Sequence, residues 1–478
     1  MKSVLGIKKP GIMPDTMSLI RNKTLEKLKF KTFSIETECS RCFLFFDTGY
    51  AWLDTCLYIL MMILFTSPIL GGFVWFIGVL CHNFLFRFRQ LDWIPIPEEI
   101  EPMITIMVPA HNEEVVIEDT IHYLMQNINY QNYEVLVTDD GSTDQTPAIL
   151  TRLMAQYDNL RVIRIEKNQG KAHAFNIGIG FAKGKLILSN DADTVPEPDA
   201  LWKYVNYFIR QDAINISAIT ANMDVQNRTT IIGKSQTVEF SSIVGIIKRT
   251  QQAVLGVIYA YSGANTMYRR EALYDVGLFR QNRATEDISI AWDHQFQGWL
   301  SLFAPKIMFF MEVPESIKML YRQRKRWAKG GTEVWLTNFK RVFLHPFENI
   351  GRTFMFIDQS LSIIWSFFFW ISSFLFIGSL GYFLIEGNSE RIYHMFTMAF
   401  LFVCFEMIAG TIQLLASLLV DNGRKKLKYF RFAPFYMLFF WMINAVTIVT
   451  TFIPAVKTIL GFGSGVWVSP ERQGQGKK

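Results

Sequence analysis

Residues 186–195 read LILSNDADTV. An apolar run stops, and two carboxylates, Asp191 and Asp193, follow with one alanine between them. The run is the fourth of its kind. ITIMVP (104–109), YEVLVT (133–138), RVIRI (161–165) and KLILSN (185–190) read as strands. Between them EEVVIEDTIHYLMQ (113–126), QTPAILTRLMAQY (145–157) and KAHAFNIGIGFA (171–182) carry helical patterns. Strands alternating with helices predict βαβ units and a mostly parallel α/β sheet. Such sheets bind ligands beyond the carboxyl ends of their strands. Polar clusters stand at those ends: PAHNEE (109–114) after the first strand, DDGSTD (139–144) after the second and NDAD (190–193) after the fourth. Alone, an Asp-x-Asp is usually a solvated turn. At the third of three such ends, it predicts a pair of carboxylates for one hard divalent cation, Mg²⁺ or Mn²⁺, which takes oxygen ligands and shares them with substrate phosphates.

The neighbouring clusters have local readings too. Gly141 suits a tight turn, and Ser142, Thr143 and Asp144 are helix-capping residues. Asp140, before the turn, is read as pointing into the crevice. Lys171 opens a helix, where a lysine meets an anion beside the helix N-terminus. Further on, Thr285, Glu286 and Asp287 form a helix start, with a cap and acids in the first turn. The stretch PESIKMLYRQRKRWAKGGTEVW (314–335) is strongly basic through Lys318, Arg322, Arg324, Lys325, Arg326 and Lys329, with Trp327 and Trp335 as amphipathic anchors. By composition it is a membrane-surface helix.

The rest of the chain is unlike a soluble enzyme. Half of its 478 residues are hydrophobic and 15% are aromatic. No Asp, Glu, Lys or Arg occurs from Thr55 to Phe86. That run exceeds the roughly 20 residues of one spanning helix, so two helices are expected, at 47–66 and 70–87, turning at SPILGG (67–72). Later apolar blocks fall at 361–385, at 393–420 and from Phe432 past Pro454 toward Leu460. The expected organisation is a basic extension (1–46), a helix pair (47–88), an α/β domain (99–312), a basic amphipathic segment (313–350), three C-terminal membrane helices with room for a re-entrant piece (351–460) and a tail (461–478). Lys and Arg cluster in the first 42 residues, in FRFRQ (86–90) and in GRKKLKYFR (423–431), which places these faces and the α/β domain in the cytosol. The net charge of +6 follows from that bias, and no groove-reading or stacking element accompanies it, so nucleic acid is not an expected partner. The polar start is not a signal peptide. Cys39 and Cys42 form a lone Cys-x-x-Cys without a second pair, so they are expected to be plain thiols rather than zinc ligands.

Together, PAHNEE, DDGSTD, DAD, TED (285–287) and QRKRW (323–327), in this order and beside membrane helices, resemble the processive, inverting family 2 glycosyltransferases of GT-A fold, over about 90–470. GKSQTVEFSSIVGIIKRTQ (233–251), ATEDISIAW (284–292), QRKRWAKGGTEVW (323–335) and WVSPER (467–472) most resemble bacterial poly-β-1,6-N-acetylglucosamine synthases, which build a biofilm exopolysaccharide from UDP-N-acetylglucosamine. The resemblance implies roles. Pro109, Asn112 and Glu113 line the nucleotide pocket, and Asp140 contacts uridine. Asp191 and Asp193 hold the diphosphate, Asp193 through the metal. Thr285, Glu286 and Asp287 form the catalytic motif, with Asp287 as base. Gln323 and Arg326 reach the diphosphate, and Trp327 is a platform for the acceptor sugar. It also implies a growing polysaccharide and the lipid bilayer as partners, and a small membrane accessory subunit. Asp358 and Glu406 are candidates to contact an exported polymer.

The chemistry agrees with these roles. A sugar hydroxyl attacking the donor C1 must lose a proton to a carboxylate. The departing diphosphate gathers charge that a metal and a forked guanidinium offset. The same motifs serve hyaluronan, chitin-like and glucan synthases. A non-processive transferase that loads a lipid carrier has little use for QRKRW. A catalytically dead scaffold would have lost the base or the metal carboxylates, and none is missing.

Overall fold

The computed structural model describes residues 51–87, 93–94, 96–97, 101–210, 213–421 and 425–462. Cys39, Cys42, the basic extension and WVSPER lie outside the described residues. The chain divides into two units, residues 1–66 and 67–478. Of the first, only the beginning of one helix is described.

The second unit is built on an eight-stranded sheet. β1 (Ile104–Ala110), β2 (Tyr133–Asp140), β3 (Leu160–Ile165) and β4 (Leu186–Ser189) are parallel, in the order β3-β2-β1-β4. The helices α2 (Ile117–Gln126), α3 (Thr146–Met154) and α4 (Lys171–Phe181) connect them. Every residue of β1 and β4 is buried, as expected for strands covered on both faces. In α2 the buried residues Ile117, Ile121 and Leu124 recur at helical spacing and enter the core under β1 and β2. This helix starts four residues later than its apolar pattern suggests, because the Glu113 carbonyl accepts from the Val116 and Ile117 amides in a separate turn.

Beyond β4 the sheet turns mixed. β7 (Thr266–Arg269) runs antiparallel to β4, and β6 (Ile216–Val225) antiparallel to β7. β8 (Leu300–Met311) is parallel to β6, and the short β5 (Thr194–Pro196) closes the edge antiparallel to β8. The long helical run after β6 begins as α6 (Ile231–Ser242), continues through π-helical turns to Leu255 and ends at Gly256, whose φ of +67° suits glycine. Helices α5 (Ala200–Phe208) and α7 (Arg270–Asp275) follow β5 and β7, α8 (Glu286–Phe296) precedes β8, and α9 (Ile317–Leu344) carries QRKRW. The sheet is thus mostly parallel, as expected, with antiparallel pairings beyond β4.

Among the described residues, four helices are long and apolar enough to cross a membrane: Thr66–Phe84, α10 (Ile350–Glu386), α11 (Ser389–Val420) and the run Leu427–Ile459. The last continues through Pro454 as one helix, α12 (Trp441–Ile459). The pair expected at 47–66 and 70–87 is instead one helix, α1 (Ala51–Arg87), with Pro68 inside it. The glycines of SPILGG lie inside this helix, and the tight contact falls at a later glycine, Gly78. A Cβ at Gly72 would lie 3.4 Å from Gln413 Oε1, and one at Gly78 would lie 2.0 Å from Thr250 Cγ2. Gly78 lets this helix approach the Thr250 side chain closely, as small residues do between packed helices. The Thr250 hydroxyl donates to the Trp75 carbonyl at 3.1 Å across that contact.

α9 is more than a surface helix. Its residues 330–334 are buried, and Val334, Val342 and Trp335 join a cluster with Trp292, Met355 and Phe356. Lys318, Arg322 and Lys325 are exposed, but Arg324 is only 3% exposed.

Candidate active site

Parallel pairing brings the ends of β1, β2 and β4 to one edge, and the loops there are laced together. The Asn112 amide donates to Ser142 Oγ at 2.9 Å, and the Thr143 amide returns to Asn112 Oδ1 at 2.9 Å. The Glu113 amide donates to Thr146 Oγ1 at 2.9 Å. Asn112 has a φ of +56°, a left-handed conformation that asparagine tolerates better than most residues. Pro109 sits in β1 opposite Thr138. Asp144 acts locally: its carboxylate accepts from the Thr146 amide at 2.9 Å and from the Glu114 amide at 3.2 Å.

Asp140 differs from its expected posture. It is buried, and its carboxylate accepts from the Gln169 amide at 3.1 Å and the Gly170 amide at 2.8 Å. It therefore shapes the turn that launches Lys171, and its oxygens are engaged with backbone rather than turned to the open crevice.

Lys171 is the hub. Its Nζ lies 2.6 Å from Asp191 Oδ1, 3.2 Å from Glu286 Oε1 and 3.3 Å from the Gly263 carbonyl. The anion beside it comes from the protein itself: this lysine ties the end of β4 to the start of α8. Burial alone would lower its pKa, but Asp191 and Glu286 outweigh burial and raise it, so the ammonium stays charged. Glu286 behaves conversely. Burial pushes it up, and Lys171 and Arg326 more than reverse that, leaving it below the ordinary value. Asp287 is pushed up to about 6, first by burial and then by the neighbouring Glu286 charge. Its Oδ2 accepts from the Gly263 amide at 3.2 Å and its Oδ1 from the Ile288 amide at 2.9 Å. Arg326 is near enough to act on Lys171, Glu286 and Asp287. Thr194 Oγ1 donates to Asp193 Oδ1 at 3.1 Å. The structure thus gathers Lys171, Asp191, Glu286, Asp287 and Arg326, with Asp193 one turn away on the β4–β5 loop.

Thr285 has a different surrounding. It occupies the N-cap position of α8, yet its side chain makes no cap hydrogen bond. Its hydroxyl is buried without a partner, and a Cβ at Gly330 would come within 1.9 Å of it. Thr285 is thus where α9 seats on α8, reinforced by the Ala284 amide donating to Glu333 Oε2 at 2.8 Å. On α9, Gln323 has a buried side-chain oxygen with no partner. Trp327 packs against the cluster of Met223, Val225, Phe240 and Val313. Within the apolar helices, Glu406 is buried with both carboxylate oxygens unpartnered. It lines a cavity of about 110 Å³ with Trp365, Phe369 and Trp441.

Gly263 escaped the sequence reading, since nothing in YSGANT (261–266) marks it. A Cβ there would meet Lys171 Nζ at 3.0 Å, Glu286 Oε1 at 3.2 Å and Asp287 Oδ2 at 3.5 Å, and its carbonyl also accepts from Ser189 Oγ. Gly263→Ala is expected to lower turnover at least tenfold by pushing these charges apart, with little change in melting temperature. Steady-state kinetics beside a thermal melt check it. Gly330 did leave a signal, since a Gly-Gly pair inside a helix costs about 1 kcal/mol per residue against alanine and is kept for close packing.

Among the described residues no group of three or more His, Cys, Asp or Glu is placed to hold a metal. The pair Asp191 and Asp193 does suit an ion that draws its remaining ligands from a diphosphate and water.

A profile described as Glycosyl transferase family 2 matches residues 105–277. A poly-beta-1,6-N-acetyl-D-glucosamine synthase of Staphylococcus epidermidis is 30% identical over 412 residues, covering 85% of this chain and 96% of that protein. The chain belongs to glycosyl transferase family 2. A synthase of the same description from Staphylococcus aureus strain COL is 31% identical over 410 residues, covering 85% and 96%. Among solved structures, a mannosyltransferase from Pyrobaculum calidifontis in complex with GDP-Man and Mn²⁺ superposes with a TM-score of 0.50 at 18% identity, covering 76% of this chain and 99% of that one. That likeness is one of fold. The protein is a glycosyltransferase with helices suited to a membrane.

Proposed function

We propose that this transferase builds a β-1,6-linked N-acetylglucosamine polymer from UDP-N-acetylglucosamine, one inverting transfer at a time. The carrying observation is Asp287, half-buried at the start of α8 and held by the Gly263 amide beside the Lys171–Asp191 pair. The near full-length likeness to synthases of that polymer supports the choice of sugar.

In this reading the acceptor hydroxyl gives its proton to Asp287 as its oxygen attacks C1 of the donor from the face opposite UDP. The C1–O bond to the diphosphate breaks, and the configuration at C1 inverts. Arg326 offsets the charge gathering on the diphosphate, and its planar fork suits two oxygens. Lys171 holds Asp191 and Glu286 in place. Asp191 and Asp193 would hold Mg²⁺ or Mn²⁺, which when bound supplies further positive charge at the diphosphate. Gln323 also reaches the diphosphate, Pro109, Asn112 and Glu113 border the nucleotide, and Trp327 stacks on the acceptor. Asp140 supports this pocket through the 169–170 turn.

The protein sits in the cell membrane as a multi-pass protein with its catalytic domain in the cytoplasm. The helices beside α9 conduct the polymer outward, together with a small membrane accessory subunit. Glu406, in its aromatic cavity, is the side chain in that region most suited to sugar hydroxyls.

Purified membranes with Mg²⁺ and labelled UDP-N-acetylglucosamine as sole donor test the reading. High-molecular-weight product digested by a β-1,6-hexosaminidase is expected. Product that resists digestion overturns the linkage, and product only when UDP-glucuronate is added identifies a hyaluronan-type polymer instead.

The pH profile follows from Asp287. A base works ionised, so kcat/KM is expected to fall as pH drops through about 6. A bound cation near the carboxylates lowers that midpoint. A kcat/KM profile measured with Mg²⁺ that stays flat from pH 7 down to about pH 4, the range of an unperturbed aspartate, would remove Asp287 as the base.

A further inference from the structure

Arg324 and Glu239 form an ion pair that the reaction does not require. Arg324 is 3% exposed and Glu239 is 4% exposed. Arg324 Nη2 donates to Glu239 Oε2 at 2.5 Å. The guanidinium carbon lies 4.1 Å from the centroid of the Trp327 ring. On a helix, Gln323, Arg326 and Trp327 share one face by their three- and four-residue spacing, and Arg324 stands on the flank next to Trp327. Arg326, not Arg324, acts on the carboxylates of the crevice.

Two features argue against a purely stabilising role. A buried ion pair seldom adds net stability over apolar residues of like volume. Moreover, Arg324 Nε and Nη1 are buried with no partner, which a group kept for stability would avoid. What the pair does is fix a flat cation over one face of an indole. α6 supplies Glu239, Glu239 orients Arg324, and Arg324 covers Trp327, whose rim is packed by Met223, Val225 and Phe240.

We infer that Glu239 and Arg324 are positioning residues for Trp327: they clamp one face of its ring so that the acceptor sugar stacks only on the other. This rests on the reading of Trp327 as the acceptor platform. The pair sets how firmly the growing end is held between transfers, and so the acceptor KM and the length of the product, while the donor side of the site is untouched.

The test uses the full-length protein in lipid nanodiscs, with UDP-N-acetylglucosamine as donor and a β-1,6-linked glucosamine oligomer as acceptor. The double variant Glu239→Leu with Arg324→Met removes both charges together, so it leaves no orphan charge and is expected to melt at or above the wild-type temperature. Arg324→Lys keeps the charge but lacks the plane that covers the ring. Both are expected to raise the acceptor KM at least tenfold and shorten the polymer. The donor KM and the slow hydrolysis of donor without acceptor should stay within twofold. In a Trp327→Ala background, Arg324→Lys is expected to add nothing further, since its effect passes through the ring. Wild-type acceptor KM and polymer length in the folded double variant overturn the inference. So does a loss that falls equally on donor hydrolysis, or one that adds in full to that of Trp327→Ala. A wild-type chain that makes no polymer from this donor overturns the substrate reading instead, and is seen in the first lane of the same assay.

Discussion

Asp287→Asn is expected to reduce polymer formation by on the order of 10² to 10⁴-fold, the usual worth of a positioned general base. Asparagine keeps the shape and can still accept from the Gly263 amide, but it cannot take the acceptor proton. Donor KM should barely move. Stability should move the other way. The Asp287 carboxyl is raised from 3.8 to about 6 in the folded chain by burial and the Glu286 charge. Its ionised form therefore costs folding stability: the cost is absent below about pH 4, grows as the unfolded chain ionises first, and is complete above about pH 6. The asparagine variant removes that cost. It is expected to melt higher than wild type at pH 7 and at the same temperature near pH 4, while being almost inactive. Radiolabelled polymer assays and thermal melts at the two pH values check both halves. A variant with more than a tenth of wild-type turnover at pH 7 would exclude Asp287 as the base.

Lys171→Met is expected to fail in both respects. Methionine fills much of the volume but leaves Asp191 and Glu286 facing each other without the ammonium that lies 2.6 Å and 3.2 Å from them. Removing one partner of a buried pair costs about 3–5 kcal/mol. The melting temperature should drop, and turnover should fall at least a hundredfold, because Asp191 no longer has a fixed position at the end of β4. The triple change Lys171→Met, Asp191→Asn and Glu286→Gln should recover most of the stability and none of the activity. Recovery of activity in the triple variant would mean that the cluster serves the fold alone.

The local chemistry of the chain was enough to determine the parallel half of the sheet, its strand-end carboxylates and the apolar helices late in the chain, but not the mixed half formed by β5–β8. Strand alternation with helices and polar clusters at strand ends are short-range signals, and Asp191 and Asp193 stand where those signals put them; Asp287 stands in the first helical turn, as its cap and acids indicate. Only the tertiary structure decided what each group faces. Lys171 and Glu286 are 115 residues apart in the chain, and a lysine at a helix start carries no mark of the two carboxylates it will join. Asp140 looked free at the end of its strand, but the turn at 169–170 comes back to claim it. SPILGG has the residues of a turn, yet the chain runs through it as one helix with Pro68 inside, because such residues suit either use and only their neighbours choose between them. Arg324 sits in a run of surface-like charges, and only the fold brings Glu239 of α6 to it. Spacing along the chain specifies which residues share an element; the packing of elements specifies which charges meet, since a Coulomb interaction depends on distance in space and on the water that burial removes.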